Sequence, residues 1–211
     1  MPDHPSSDRP SKERTIVLYP DPVLLRRAAP VERVDEWVRT LVSDRVRIMR
    51  DLNGAGIAAP QVGESVRIFV VEEREARDGE PEEPLGVYIN PVLTQPTGAV
   101  EPFEEGCLSL PDIRADIRRP PGITIRALDL DGKPFTRTSD GFLARVWQHE
   151  FDHLEGTLIL DRMTEIDRLA CRKQLRELQA EWDEEHPPKP TPPSTGIAKV
   201  LPKVLRSFKR R

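Results

Sequence analysis

Cysteine is scarce in this chain, with two in 211 residues, which excludes a disulfide framework and leaves any thiol an individual role. Long apolar runs are missing as well. No stretch approaches the ~18 residues that a membrane-spanning helix needs, so no transmembrane segment is expected. Residues 1–14 are polar and hold no apolar core of the kind a secretory signal requires, and a cytoplasmic protein is expected. Hydrophobic residues make up a low 37%, which the charged and Pro-rich ends explain. What remains is long enough for one domain with a real core. The expected organisation is a disordered tail over 1–14, a single domain over 15–186, and a Pro-rich linker with a basic tail over 187–211. No internal repeat is visible, and the protein is expected to be a monomer.

Against these absences stands one dense stretch, Gln148-His149-Glu150-Phe151-Asp152-His153-Leu154. Histidines four apart on a helix share a face and can hold one metal ion, with Glu150 beside it. Metal-assisted hydrolysis needs neutral imidazoles, an open coordination position where bound water loses a proton near neutrality, and a carboxylate to shuttle that proton. His149 and His153 fit the ligand role and Glu150 the base.

The motif lacks a third ligand. Glu105-Gly106-Cys107-Leu108-Ser109-Leu110-Pro111 offers the best donor, because Cys107 follows a glycine that permits close backbone approach. A thiolate with two imidazoles leaves one tetrahedral position for water; alone, Cys107 would read as a small buried hydrophobe. A further segment, Gly54-Ala55-Gly56-Ile57-Ala58-Ala59-Pro60-Gln61-Val62-Gly63, is too rich in Gly and Pro for a helix interior. It is expected to form a tight loop from which Gln61 could present an amide to a developing oxyanion.

Apolar spacing predicts a helix over 34–52, strands over 66–71, 87–89 and 123–130, and a last helix from 165 to about 185 that stops at Pro187-Pro188. Thr138-Ser139-Asp140 is expected to cap the His-Glu helix and Gly156 to end it. Residues 72–84 are acidic and are expected to form an exposed insertion. The mixture suits an α+β fold, with mixed or antiparallel sheets around a central metal-binding helix.

Residues 54–61, 105–109 and 148–156 together resemble the peptide deformylase family, whose pattern is Gly-x-Gly-x-Ala-Ala-x-Gln, then Glu-Gly-Cys-x-Ser, then Gln-His-Glu-x-Asp-His-Leu-x-Gly. Every fixed position matches, in order, and the likeness covers about 15–170. The resemblance implies hydrolysis of the N-formyl group from the initiator methionine of new polypeptides, by a mononuclear metal on Cys107, His149 and His153 with water as fourth ligand. It implies ferrous iron, replaceable by nickel, cobalt or zinc, where the ligand set alone would suggest zinc. In this likeness Glu150 takes and returns the proton, and Gln61 and the backbone N–H of Leu108 are the oxyanion donors. Gly56, Ile57 and Gly106 match positions where an extended N-formylmethionyl peptide adds alongside strand edges. Phe103, Phe142, Val146 and His149 match the lining of the methionine pocket, although apolar residues of this size are as often core. Arg114 matches a contact to the peptide backbone, and Glu105 is expected to pair with Arg119 and brace the loop that carries Cys107.

A metallopeptidase would use the same helix, but it commonly recruits its third ligand downstream; Cys107 and the Gln61 loop, both upstream, argue against it. A silent module with a structural metal would need four protein ligands. The tail is a separate matter. Residues 187–211 hold seven of the chain's 32 basic residues and none of its 36 acidic ones, and such asymmetry suggests an anionic partner, with ribosomal RNA first and an anionic membrane surface second.

Overall fold

The computed structural model describes residues 15–73 and 85–187; the expected N-terminal tail and all but Pro187 of the C-terminal one lie outside them. The first helix, α1 (Glu36–Asp51), starts where Asp35 accepts a hydrogen bond from Val38 N at 3.1 Å, a side-chain cap for an otherwise orphaned donor. Five strands form one antiparallel sheet: β1 (Gly56–Ala58), β2 (Ile68–Glu72), β3 (Leu85–Thr97), β6 (Gly122–Leu128) and β7 (Pro134–Asp140), in the order β1-β2-β3-β6-β7. A separate hairpin pairs β4 (Glu101–Cys107) with β5 (Leu110–Arg119). Helix α2 (Phe142–Leu154) carries the two histidines, and α3 (Ile159–Arg162), α4 (Glu165–Ala170) and α5 (Arg172–Glu185) follow.

β2 shows why the fold has this form. Successive side chains of a strand point to opposite faces, and here both faces are covered. Ile68 and Val70 join Leu41 and Met49 of α1 in one core cluster, while Phe69 and Val71 join Ala144, Trp147 and Leu154 of α2 in another. The uninterrupted Ile-Phe-Val-Val run is the signature of that double burial. A third cluster packs Leu110, Ile113 and Ile117 of the hairpin against Leu158, Ile159 and Leu178. Helix α2 therefore lies between the five-stranded sheet and the hairpin, with nine of its thirteen residues buried. The fold is α+β, as expected.

Several local expectations need correction. Thr138, Ser139 and Asp140 do not cap α2: they pair with Thr124, Ile123 and Gly122 as the end of β7, and Gly141 at φ 74° makes the turn with no side-chain cap. Their alternation of β-branched and polar residues serves the ladder instead. The loop expected over 54–63 contains a short strand and a 3-10 turn, Ala59–Val62. Glu72 and Glu73 are not part of an exposed insertion. Glu72 lies in β2 beside Arg50, and Glu73 is buried against Tyr88 and Arg137; residues 74–84 lie outside the described set. The last helix is two, broken at Cys171. Gly156, at φ 71°, does follow the end of α2, in the backbone region that favours glycine.

Candidate metal centre and substrate cleft

Cys107, His149 and His153 offer one ligand atom each, all within 4.8 Å of one another. The fold brings them together from two directions. Cys107 ends β4, where the hairpin register jumps from Gly106 paired with Arg114 to Cys107 paired with Leu110, a bulge that re-aims the chain. The histidines project from one face of α2, their rings 5.1 Å apart and nearly perpendicular. Cys107 Sγ lies 3.3 Å from His153 Nε2. A soft sulfur and two imidazole nitrogens at this separation fit a tetrahedral or similar transition-metal site with a position to spare.

The surroundings hold the ligands for that task. His149 Nδ1 meets Glu105 Oε2 at 3.1 Å, which fixes the ring and leaves Nε2 for the centre. Arg119 clamps the same carboxylate with Nε to Oε1 at 2.7 Å and Nη2 to Oε2 at 3.0 Å, and reaches Asp152 with Nη1 at 2.7 Å. Arg162 also donates to Asp152. Burial pushes the Glu105 carboxyl up, but His149 and Arg119 outweigh it and hold it at about 2. Burial likewise disfavours a charged His149, yet Cys107 and Glu105 raise it to about 10. Neighbours that favour a proton on this ring favour a metal cation in its place. His153 is pushed well down by burial and by the positive charges of His149 and Arg119, which keeps it in the neutral form that ligates.

Glu150 is 3% exposed, and its Oε2 has no hydrogen-bond partner among the described residues. Burial is the main reason its carboxyl rises to about 7, against the lowering effect of His149 and Arg119; that places it where a base working near neutrality belongs. Gly56 makes room for it, since a Cβ there would come 2.7 Å from Glu150 Oε1. Gln61 is oriented by its own loop: Oε1 accepts from Ala58 N at 2.8 Å, so Nε2 turns toward Cys107 Sγ at 3.6 Å and Ser109 Oγ at 3.4 Å. The amide donor thus faces the centre.

A cleft of about 630 Å³ opens onto these groups. Gly56, Gln61, Phe103, Gly106, Leu108, Arg114, Phe142, Val146, His149 and Glu150 all line it. Phe103 and Phe142 are 48% and 61% exposed, with ring centroids 6.2 Å apart, so they are walls of the cleft and not core. Arg114 sits on the rim, 3.7 Å from Glu104. The side chain of Ile57 is fully buried in the cluster under α1, which leaves its backbone, on the edge strand β1, as the part able to meet a peptide. Arg145 was not foreseen. It is buried, lines the cleft and donates to Glu105; the signal for it was present, since positions 145, 149 and 153 repeat at four-residue intervals along one helical face.

Residues 13–169 match the family model described as polypeptide deformylase. Among curated proteins, the chain is 38% identical over 168 residues to the peptide deformylase of Brucella suis biovar 1 (strain 1330), covering 80% of this chain and 94% of that one. It is 46% identical over 153 residues to the peptide deformylase of Dictyoglomus turgidum (strain DSM 6724 / Z-1310), covering 72% and 94%. Among solved structures, a plant peptide deformylase superposes with a TM-score of 0.77 at 36% identity, covering 84% of this chain and 95% of that one. The peptide deformylase of Thermotoga maritima gives 0.66 at 37% identity, covering 72% and 97%.

Proposed function

The chain belongs to the peptide deformylase family, and on that premise we propose that Cys107, His149 and His153 hold the catalytic metal while Glu150, Gln61 and Leu108 carry out removal of the N-formyl group from new polypeptides. The observation that carries this reading is the ligand triangle of one thiol and two imidazoles with the buried carboxylate of Glu150, whose Oε2 has no hydrogen-bond partner among the described residues, beside it at the end of an apolar cleft. The metal would be ferrous iron, with nickel, cobalt or zinc able to substitute, and when bound to these three residues it would supply Lewis-acid chemistry that polarises a carbonyl and acidifies water.

The chain's own groups do the rest. An N-formylmethionyl peptide lies extended along the edge strand β1 and the Gly106 end of β4, where main-chain groups of Gly56, Ile57 and Gly106 bind it without reading its sequence. Its first side chain enters between Phe103, Phe142 and Val146, and Arg114 meets its backbone at the rim. Gln61 Nε2 and the Leu108 N–H donate to the carbonyl oxygen as negative charge develops there, and each such donor is worth about 2.7–4 kcal/mol of barrier. Glu150 takes one proton from water as the C–O bond forms, and delivers it to the nitrogen as the C–N bond breaks, leaving formate and a free amine. The protein acts in the cytoplasm, on nascent chains.

Formyl-Met-Ala-Ser is the direct test, with formate release and peptide-bond cleavage measured separately. Formate with one new amine per turnover is expected. Cleavage of the peptide bonds without formate would make the protein a metallopeptidase, and neither product would make it a binding module. The metal is checked by anaerobic purification and elemental analysis: the ferrous form is expected to lose activity in air, through oxidation of the metal or of Cys107, and the nickel form to keep it. For the basic tail the proposed partner is the ribosome, on the charge asymmetry noted above. Deleting 187–211 is expected to spare hydrolysis of a short formyl peptide and to weaken ribosome binding; unchanged affinity across a salt series would refute the contact.

A further inference from the structure

Arg145 touches two different parts of the site. Its Nη1 donates to Glu105 Oε1 at 3.0 Å, on the carboxylate that orients His149. The guanidinium also lies over the ring of Phe103, 5.1 Å from its centroid, and pins the hairpin there, the same Nη1 donating to Ile117 O at 2.9 Å and Nη2 to Glu101 O at 3.2 Å. Ile117 is the register partner of Phe103 across β4 and β5. The ring is thus held in its exposed wall position by a cation against its face and by the strand beside it. The side chain of Arg145 is 7% exposed, and three of its five N–H donors are committed to the protein. Its contact with the pocket wall is the one to the Phe103 ring.

Arg119 already clamps both oxygens of Glu105, so Arg145 is not needed to keep that carboxylate ionised. Its distinct contribution lies at Phe103. We propose that Arg145 is a positioning residue that sets side-chain specificity: it fixes the Phe103 wall of the pocket relative to the His149–Glu105 pair, so that a long apolar first side chain is gripped in register with the scissile carbonyl, while a short one gains nothing from it. This inference rests on the assignment of the cleft to N-formyl peptides. A cation–aromatic contact combined with hydrogen bonds to two main-chain carbonyls is a device for holding a flexible hairpin edge at fixed distance from a helix, which a lysine could not copy because it lacks the planar fork.

The test compares wild type, Arg145→Lys and Arg145→Met on formyl-Met-Ala-Ser and formyl-Ala-Ala-Ser, with metal content measured on each sample. The ratio of the two kcat/KM values is independent of how much of each preparation is active. In Arg145→Met the ratio is expected to fall about tenfold, the worth of roughly one or two methylenes in a hydrophobic pocket, chiefly through the methionine substrate, with metal still bound. Arg145→Lys is expected to recover only part of the preference. A parallel fall on both substrates, or an unchanged ratio, would show Arg145 to be a structural residue and overturn the proposal. Absence of formate release from the wild type would instead overturn the reading of the cleft itself, so the two failures are distinguishable.

Discussion

Glu105 Oε2 stands 3.1 Å from His149 Nδ1 while the same carboxylate is held by two arginines, Arg119 and Arg145. The helix ligand and the hairpin ligand are therefore tied through one buried anion. Glu105→Gln keeps the shape and removes the charge, so the ring of His149 loses the anionic acceptor that makes it a better metal ligand. Metal affinity is expected to fall about 10–100-fold, measured by competition with a chelator. The sign of the pH effect follows from the lowered carboxyl. An ionised Glu105 stabilises the fold fully above the ordinary glutamate value of about 4.3, and that contribution is lost as pH falls toward about 2. In metal-stripped protein, an acid titration followed by circular dichroism should show the wild type losing stability across this window more steeply than Glu105→Gln.

Glu150→Gln separates the base from the centre. The amide fills the same volume, but it cannot accept a proton. Turnover is expected to drop at least about a hundredfold with metal content and melting temperature close to wild type. Near-normal rates at full metal occupancy would remove Glu150 from the mechanism.

The two cysteines make an internal control. Cys107 faces the histidines, whereas Cys171 is buried beside Met163 with its sulfur 3.9 Å from the thioether. Cys107→Ser replaces a soft, acidic donor with a hard, weakly acidic one and should lose metal; Cys171→Ser should retain it. Equal loss in both, by elemental analysis, would overturn the ligand assignment.

These contrasts show which parts of the molecule were legible in the sequence. The centre was, because ligand chemistry allows few residue types and a helix fixes their spacing: positions 149 and 153 could be placed on one face, with 150 beside it, from the pattern alone. Cys107 and Gln61 were recognisable as chemistry but not as geometry, since the bulge after Gly106 and the hydrogen bond from Ala58 N to Gln61 that aim them arise from strand register and loop closure. The hairpin strands β4 and β5 were not readable from apolar spacing, and only the resemblance pointed to a strand edge at Gly106. Glu104-Glu105 and Arg118-Arg119 look like surface charge in a string of letters; the resemblance alone pointed to the Glu105–Arg119 pair, which the structure contains, and the tertiary fold adds Arg145 and makes that charge internal. Arg145 shares the four-residue spacing of His149 and His153, but its role becomes visible only with its partners, 28 and 40 positions away in the chain. The mistaken cap over 138–140 has a related cause. Thr, Ser and Asp favour helix starts and also tolerate an edge strand, and the pairing with β6 decided between them.

Gly56 offers the sharpest test of how the loop and the helix fit together. Its backbone pairs with Val71 in the sheet, and the space where a side chain would stand is taken by Glu150: an alanine Cβ would lie 2.7 Å from Oε1 and 3.0 Å from both Cδ and Cγ. No contact that close is tolerated, so either the strand or the carboxylate must move. The strand is anchored by its ladder with β2 and by the buried side chain of Ile57, whereas the Glu150 side chain turns on single bonds. Gly56→Ala is therefore expected to displace the base and leave the three metal ligands in place. A shift of about 1 Å in a catalytic group can cost on the order of a hundredfold in rate. The expected result is a large fall in kcat with metal content unchanged and melting temperature lowered only slightly. If Gly56→Ala instead lost metal in proportion to activity, the strain would have been relieved through the ligand helix, and the close fit of β1 against Glu150 would not be what positions the base.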